Sequence, residues 1–486
     1  MLTYAKTTVF AVAVILLATA VSAGELEMLE TARAAVAESR AWVGSRVETE
    51  GFTGHIYSNG SAIIECEKLY EESEIRLSTL IDVHENFTVD DAITWLGGVL
   101  VNHRTCLEGL EQKGLAQKAL VYNNVTLIVS KSLALYRKGR KNHVNKRPHE
   151  AGRPNQSGGM LVSWNPTRSK ADFVVAKDGS GGHRSINEAL TAVSRMGPRR
   201  SGRVIIYIKS GVYNEKIDID RKMKNIMLVG DGIDRTIVTG SSNVPDGATT
   251  YGSATFGVSG DGFWARDMTF ENTAGPHKHQ AVALRVSSDL SVFYRCSFKG
   301  YQDTLFTHSL RQFYRDCHIY GTIDFIFGDA AAVFQNCDIF VRRPMDHQAN
   351  MITAQGRDNP HTNTGISIQE SRVRPAPELE VMKSRFRSYL GRPWKKYSRT
   401  VFMKTDLDGL IHPNGWTEWS GAFALSTLYY GEYMNTGAGA RTDERVKWPG
   451  FHVLRGSEEA SPFSVSRFIQ GESWIPATGV PFHAGV

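Results

Sequence analysis

An aromatic pattern that returns about every 20 residues constrains the fold of this chain more than any other feature. Three segments start 20 and 21 residues apart: Phe293-Tyr-Arg-Cys-Ser-Phe298, Phe313-Tyr-Arg-Asp-Cys-His-Ile319 and Phe334-Gln-Asn-Cys-Asp-Ile-Phe340. A unit this short cannot bury its apolar face alone, so neighbouring units must stack and share a core. The pattern predicts a right-handed parallel β-helix, and a β-sandwich of similar hairpins is the alternative.

The first part of the chain has a different periodicity. Residues 24–136 carry apolar side chains at helical spacing, and Asp90 and Asp91 stand where a helix N-terminus is expected. These residues predict an all-α bundle of about four helices ahead of a mainly β region. Short apolar runs that end at Gly or Asp begin only after Asp172.

Two further segments complete the predicted organisation. Residues 1–23 are expected to be a signal peptide, because Thr7 to Ala20 is nearly all apolar and is followed by small residues; a retained signal anchor is the alternative. Residues 137–168 are expected to be a linker, since they open with six bases and no acid through Pro148. This basic run is either a solvated tether or a protease processing site. The bundle and the β-helix then occupy residues 24–136 and 169–486.

Charge and cysteine content point to a secreted protein with a polyanionic partner. Residues 24–110 carry a net charge of −10, whereas residues 111–486 carry about +15. Nucleic acid is one candidate partner, but a secreted chain meets acidic polysaccharide more often. Five cysteines predict two disulfides and one free thiol in an oxidising compartment. Four N-x-S/T sequons agree with secretion, at Asn59, Asn86, Asn124 and Asn155.

The predicted coils bring a set of polar residues together. Asp303 and Asp324 are 21 residues apart, and Gln280 and Gln302 are 22 apart, so each pair is separated by one coil. Stacked strands lie about 4.8 Å apart. Structural alternatives exist, because Asp residues cap turns and Gln residues form ladders in stacked strands. The carboxylate pair alone does not separate ester cleavage from sugar cleavage, since retaining glycosidases use a similar spacing.

Two adjacent carboxyls can divide acid and nucleophile roles. Repulsion and burial raise one pKa and leave the other group charged. Arg392, in Leu390-Gly-Arg-Pro-Trp394, could hold one Asp ionised through a bidentate pair. The Gln amides could donate to a developing oxyanion, which favours acyl chemistry.

Five sequence blocks resemble those of plant pectin methylesterases, in the family's order and spacing: Gly211-Val-Tyr-Asn-Glu215, Gln280-Ala-Val-Ala-Leu284, Gly300-Tyr-Gln-Asp-Thr304, Asp324-Phe-Ile-Phe-Gly328 and Leu390-Gly-Arg-Pro-Trp394. The resemblance implies hydrolysis of galacturonan methyl esters without a metal or other cofactor. It assigns Asp324 as nucleophile, Asp303 as general acid and base, Gln280 and Gln302 as oxyanion donors, and Arg392 as the residue that orients Asp324.

The same resemblance suggests substrate contacts and disulfides. Trp394 and Thr250 match substrate-contacting positions, with Tyr251, Phe327 and Trp416 as further groove aromatics. Phe306 stands where the family usually has Tyr. Cysteine pairs of the family match Cys317 with Cys337 and Cys66 with Cys106, which leaves Cys296 as a buried thiol.

Residues 24–136 resemble the pectin methylesterase inhibitor domain that precedes many of these enzymes, through Asp90-Asp-Ala-Ile-Thr-Trp-Leu96 and Thr105-Cys-Leu-Glu-Gly109. The expected partners are therefore methylated homogalacturonan, a processing protease acting near Arg140, and the inhibitor-like domain itself, held by charge complementarity. No nucleic acid is expected, and no membrane after signal removal. The expected location is the cell wall outside the cell.

Two other functional hypotheses remain open at this point. The first is a glycosidase or lyase that cleaves polygalacturonan on the same fold. The second is a protein that binds pectin or inhibits an enzyme, with an inert second half. No His or Cys spacing typical of zinc occurs, and Pro276-His-Lys-His279 is expected to be a solvated loop.

Overall fold

The computed structural model describes residues 23–49, 60–82, 87–115, 123–142, 159–197 and 202–486. The predicted signal peptide, apart from its last residue, lies outside these ranges. So do residues 143–158 of the predicted linker and the sequons at Asn59, Asn86 and Asn155. None of the described helices is long and apolar enough to cross a membrane.

Four long helices form the first domain, as predicted: α1 Ala23–Thr49, α2 Gly60–Ile81, α3 Val89–Gln112 and α4 Asn123–Asn142. Thr88 caps α3, because its hydroxyl accepts a hydrogen bond from the N–H of Asp91 while the Asp91 carboxylate accepts from the N–H of Thr88. The predicted Cys66–Cys106 disulfide joins α2 to α3, with the Cα atoms 4.6 Å apart. α4 ends at Asn142, so the start of the basic run lies in its last turns.

Short helices occur within the second domain. They are α5 Met160–Ser163, α6 Ile186–Arg195, α7 Pro377–Glu380, α8 Ser457–Ala460 and α9 Val465–Phe468, with 3₁₀ turns at Pro276–Lys278, Lys383–Arg385, Ala438–Ala440, Ser461–Phe463, Gly471–Ser473 and Ile475–Thr478.

Twenty-four strands are described in the second domain. The first twelve are β1 Phe173–Val175, β2 Val204–Ile208, β3 Gly211–Asn214, β4 Ile217–Ile219, β5 Ile226–Val229, β6 Thr236–Gly240, β7 Phe256–Val258, β8 Trp264–Arg266, β9 Thr269–Asn272, β10 Leu284–Val286, β11 Ser291–Tyr294 and β12 Ser297–Lys299. The others are β13 Leu305–Arg315, β14 His318–Gly321, β15 Ile326–Gln335, β16 Asp338–Val341, β17 Asn350–Gln355, β18 Gly365–Gln369, β19 Arg372–Pro375, β20 Ser388–Gly391, β21 Arg399–Met403, β22 Asp406–Leu407, β23 Tyr429–Tyr433 and β24 Phe451–Val453.

These strands form a parallel β-helix, which confirms the predicted fold. Every pairing between the named strands is parallel, and the strands form one sheet of 16 and one of 8. The larger sheet bends into two faces. The start of β13 pairs with β10, through Leu284 and Leu305, while its end pairs with β11, through Ser291 and Gln312. The face made by β4, β7, β10, β13, β15, β17 and β20 carries the functional residues.

The aromatic repeat lies in the core, but its register differs by one residue from the sequence alignment. Phe293 stacks on Tyr314, which stacks on Phe334, at ring distances of 5.0 and 4.4 Å. Phe313 belongs to the opposite face of its strand and packs against Phe482. The extra residue in the second repeat precedes Cys317, so the coils are 21 and then 20 residues long.

The predicted Cys317–Cys337 disulfide is absent from the structure, and this prediction is wrong. Both are free buried thiols, as is Cys296, which confirms only the expectation for Cys296. The strands that follow Cys317 and Cys337 pair in register. In-register strands about 4.8 Å apart place the two cysteines one above the other, within the Cα separation of about 4.4–6.8 Å that a disulfide allows. The two thiols are therefore neighbours in contact, but they are not bonded. Each sulfur instead donates to a carbonyl oxygen of Phe293 or Tyr314.

The second domain begins earlier than the predicted boundary at residue 169. α5 packs against the larger sheet, with Leu161 fully buried. Arg266 donates hydrogen bonds to the carbonyl oxygens of Leu161, Val162 and Trp164, at 2.8–2.9 Å. The interior core and this outer cluster use only residues from 161 onward, so the β-helix contains its own hydrophobic core.

Candidate active site

The two aspartates lie at equivalent corners of adjacent coils. Asp303 stands two residues before β13 and Asp324 two residues before β15, and Leu305 pairs with Ile326 in register. Both corners require a left-handed backbone, with φ of 61° at Asp303 and 52° at Asp324. Asp tolerates this conformation better than most residues, which explains how an acid can occupy each corner.

Arg392 binds one of these aspartates directly. Its Nε donates to Oδ1 of Asp324 at 2.9 Å and its Nη2 donates to Oδ2 at 2.6 Å. The backbone N–H of Arg392, just after β20, donates to the carbonyl oxygen of Thr353 and so fixes the start of the side chain. A bidentate pair of this kind sets both the orientation and the charge of the carboxylate.

The electrostatics of the two carboxyls differ. Burial, followed by the charge of Asp324, holds the pKa of Asp303 well above its ordinary range. Burial also raises the pKa of Asp324, but the hydrogen bonds and charge of Arg392 oppose that rise. Asp303 is 7% exposed and Asp324 is 4% exposed, so little water shields one from the other. The pair therefore favours one proton on Asp303 and a charge on Asp324.

The two glutamines lie beside these carboxyls. The N–H of Ala281 donates to the carbonyl oxygen of Gln302, so Gln280 and Gln302 sit one coil apart with an offset of one residue. Both side chains are half-buried. Neither side-chain amide forms a hydrogen bond with another described residue. The amides are therefore available to a ligand in the groove.

Aromatic side chains continue the groove beyond the carboxyls. Phe327 stacks on Phe306 with ring centroids 4.3 Å apart, and Trp394 meets Phe327 edge-on at 6.0 Å. Tyr251 lies under the guanidinium of Arg285, at 3.7 Å, and its hydroxyl accepts a hydrogen bond from that group. Three predicted groove aromatics thus lie on the face that carries the aspartates.

The prediction for Trp416 is wrong. Trp416 is 1% exposed and belongs to the interior core, where it stacks on Tyr430 and donates to Glu432. Sequence reasoning missed Trp419, which is 38% exposed and lies 4.3 Å from the guanidinium of Arg392. The two tryptophans are three residues apart, and the backbone of Trp416 forms a parallel bridge with Gly391 at the end of β20.

The helical bundle covers this groove. The amide of Gln112, at the end of α3, accepts a hydrogen bond from the N–H of Thr250 at 3.0 Å and donates to its hydroxyl at 3.1 Å. Thr105 contacts Nε2 of the buried His308 at 2.9 Å. Bundle side chains share one apolar cluster with Phe306, Phe327 and Trp394. Predicted substrate positions are therefore occupied by α3.

Ion pairs across this interface run in both directions. Among the described residues, six pairs at 2.6–3.1 Å join the domains. Three place an acid on the bundle, and three place an acid on the β-helix: Glu71–Lys222, Asp91–Arg311 and Glu108–Lys395, then Lys68–Asp218, Arg76–Asp261 and Arg104–Asp329. The net charges of the two domains therefore do not determine how they pair.

The described residues contain no group of three or more His, Cys, Asp or Glu side chains that could hold a metal ion. The chemistry that these residues themselves can support is that of an acid, a carboxylate and two amides around one position.

Fold and site together define a carboxylic ester hydrolase on a parallel β-helix, and comparison with known proteins identifies which kind. The Pectinesterase family model matches residues 172–472, and the Plant invertase/pectin methylesterase inhibitor model matches residues 5–135. The chain belongs to the pectinesterase family, and it hydrolyses the methyl esters of pectin. A sugar-cleaving activity on the same fold is not favoured.

Named relatives agree with this assignment. The chain is 69% identical to probable pectinesterase/pectinesterase inhibitor 36 of Arabidopsis thaliana, over 99% of this chain and 98% of that protein. It is 50% identical to pectinesterase 2 of Citrus sinensis, over 93% and 86%. Among solved structures, pectin methylesterase from carrot is 55% identical with a TM-score of 0.64, and covers 65% of this chain and 98% of its own.

The carrot comparison also bears on whether the β-helix domain folds alone. That solved chain is matched along nearly its whole length by about two thirds of this one, which is the length of the β-helix domain. Because the β-helix here also has its own core, residues 159–486 form a unit that is expected to fold without the bundle.

Proposed function

We propose that Asp324 is the nucleophile and Asp303 the general acid and base of the pectin methylesterase reaction. A carboxylate oxygen of Asp324 forms a bond to the ester carbon, and the proton of Asp303 passes to the methoxide as its bond to that carbon breaks. Water then attacks the acyl-enzyme, Asp303 accepts the proton, and the bond to Asp324 breaks. The products are methanol and a galacturonate carboxylate.

The observation that carries this proposal is the difference between the environments of the two aspartates. Arg392 binds Asp324 through two hydrogen bonds, which supports a charged and oriented nucleophile. No described residue donates a hydrogen bond to the Asp303 carboxyl, and burial raises its pKa, which supports a proton there. Acid and nucleophile thus arise from one residue type in two environments.

Gln280 and Gln302 are the proposed oxyanion donors. Their side-chain amides are half-buried and unused within the described residues, next to the carboxyls. Donors that already point at the developing charge stabilise the tetrahedral intermediate without reorganisation. Thr250, Tyr251, Phe327 and Trp394 are proposed to bind the sugars on either side, and Trp419 joins them.

The bundle is proposed to inhibit the β-helix domain within the same chain. The Gln112 side chain is hydrogen-bonded to Thr250, and apolar side chains of the bundle pack against Phe327 and Trp394. A polysaccharide cannot enter the groove while α3 is hydrogen-bonded and packed against its walls. Cleavage between the bundle and α5, by a protease that recognises the basic run, would be required before the bundle can leave.

The chain is further proposed to be secreted to the cell wall, with residues 1–23 removed as a signal peptide. Asn124 is exposed at the start of α4 and is a candidate for glycosylation. Secretion is supported by the sequence of the first 23 residues and by the polysaccharide substrate of the family.

Methanol release and polymer length test these proposals together. Residues 159–486 are expected to release methanol and acid in equal amounts from methylated pectin and to create no new chain ends. The full chain is expected to release methanol much more slowly until its linker is cut. New reducing or unsaturated ends would contradict the ester reaction, and equal rates for both proteins would contradict inhibition by the bundle.

A further inference from the structure

We infer that Lys395 forms a binding subsite for the free carboxylate of a de-esterified galacturonate next to the reacting sugar. This inference rests on the proposed function, because it takes the groove under the bundle as the path of the polymer. Its basis is an ion pair that the bundle makes inside that groove.

The occupant of the subsite in this structure is a carboxylate of the bundle. Oε1 of Glu108, on α3, lies 2.6 Å from Nζ of Lys395. The two side chains are 23% and 24% exposed, so the ammonium sits in a partly enclosed position. The Glu108 oxygen that faces it is itself buried. The contact therefore presents a carboxylate to Lys395 much as a uronic acid in the groove would.

The position of Lys395 places this carboxylate beside the proposed sugar platform. Lys395 directly follows Trp394 and stands three residues after Arg392. Its Nζ is 5.2 Å from the centroid of the Trp394 ring, and that ring meets Phe327. A sugar that stacks on Trp394 can thus extend its carboxylate to Lys395 while a neighbouring ester lies at the aspartates.

The charges around Lys395 change when the bundle leaves. Arg104, which belongs to the bundle, lies 4.0 Å from Glu108 and pairs with Asp329. Removal of α3 takes both Glu108 and Arg104 away, so Lys395 loses its carboxylate partner while the Trp394 wall stays. The uncovered ammonium next to an aromatic wall then favours an anionic ligand. A methyl ester carries no charge, so Lys395 discriminates between free and esterified sugars.

The discriminating experiment compares Lys395→Gln with Lys396→Gln in residues 159–486. Lys396 is the matched control, because it is the next residue and is exposed. Lys395→Arg keeps the charge and should retain binding. Equilibrium binding of a fully de-esterified galacturonan oligomer is followed by tryptophan fluorescence. The same proteins are then assayed for methanol release from fully methylated pectin, at low salt.

Lys395→Gln is expected to weaken oligomer binding about 3- to 5-fold, the range of a partly exposed ion pair. The Lys396→Gln variant should bind the oligomer like wild type and should keep the wild-type kcat on fully methylated pectin. Equal affinity of wild type and Lys395→Gln, or equal losses in both Gln variants, would overturn the inference. If wild-type residues 159–486 released no methanol, the proposed function would be contradicted. The binding comparison would still test the Lys395 subsite, because it does not depend on turnover.

Discussion

Asp303 and Asp324 share one backbone conformation and one position in adjacent coils, yet only Asp324 is bound by Arg392. Stacking of the coils gives the two residues equivalent backbone positions. Arg392, in the segment after β20, gives them different electrostatic environments. The fold therefore supplies the pair, and one arginine from a later coil assigns its charges.

The first prediction concerns the pH dependence of turnover. Activity should fall at high pH as Asp303 loses its proton, and at low pH as Asp324 gains one, which gives a bell-shaped profile. Burial raises the pKa of Asp324, and the hydrogen bonds and charge of Arg392 oppose that rise. Arg392→Gln should therefore move the acid limb to higher pH, besides lowering kcat. The profile of kcat/KM for residues 159–486 measures this shift.

Arg387→Gln is the control for that profile, because Arg387 is exposed and lies just before β20. Its acid limb should match that of wild type. An acid limb that stays in place in Arg392→Gln would contradict the assigned role of Arg392.

A second prediction concerns the hold of the bundle on the groove. Arg104→Ala in the full chain leaves Asp329 buried at 3% exposure without its cation. Breaking one partner of a buried pair costs about 3–5 kcal/mol, so docking should weaken and methanol release should rise at least about tenfold. Arg33→Ala, at an exposed position of α1, should leave the rate unchanged. A rate that stays low in Arg104→Ala would argue against this contact as a main support of docking.

The third prediction concerns the pH dependence of inhibition. Glu72, on α2, is buried at the interface, and burial raises its pKa from 4.5 to about 7, against the effect of Ser259, Arg221, Arg285 and Arg76. A carboxyl with a raised pKa stabilises docking while it is protonated, and that stability is lost as the pH rises from about 4.5 through 7. The full chain should therefore be more strongly inhibited in acid.

Glu72→Gln tests this directly, because the amide cannot ionise. Inhibition is measured as the methanol-release rate of the full chain divided by that of residues 159–486. In Glu72→Gln this ratio should change less between pH 5 and pH 8 than it does in wild type. Glu38→Gln, an exposed position on α1, is the control. An unchanged pH dependence in Glu72→Gln would show that another group controls docking.

The fourth prediction concerns thiols. The structure contains one disulfide, Cys66–Cys106, and three buried free thiols within the described residues, which include all five cysteines. A thiol reagent should therefore find no reactive cysteine in the native protein and three after denaturation without reductant. If only one cysteine reacted after denaturation, the result would show that Cys317 and Cys337 form a disulfide.

Sequence periodicity was sufficient to predict the β-helix, the four-helix bundle and the pairing of Asp303 with Asp324. A period of about one coil fixes which residues stack, whatever lies between them. Arg392 was found through its motif rather than through periodicity, because it lies 68 residues after Asp324 and only the folded coils bring them together.

Finer features depended on register and orientation, which a repeat alone does not specify. One extra residue before Cys317 shifted the aromatic ladder. A spacing of one coil placed Cys317 beside Cys337 but did not determine whether the two thiols are bonded. Trp416 and Trp419 differ only in which way each side chain points. The domain interface also differs from the expectation. The net charges predicted acidic residues of the bundle against basic residues of the β-helix, whereas Glu108–Lys395 and Arg104–Asp329 show that each domain contributes both acids and bases.

The most direct measurement of the central claim is methanol release by Asp324→Asn and Asp303→Asn in residues 159–486, each checked for native folding by thermal unfolding. The account predicts that both release methanol at least about 10³-fold more slowly than wild type, because one lacks the nucleophile and the other the proton donor. Asp346→Asn, at an exposed loop position, should retain full activity. Normal turnover by a folded Asp324→Asn protein would contradict the account.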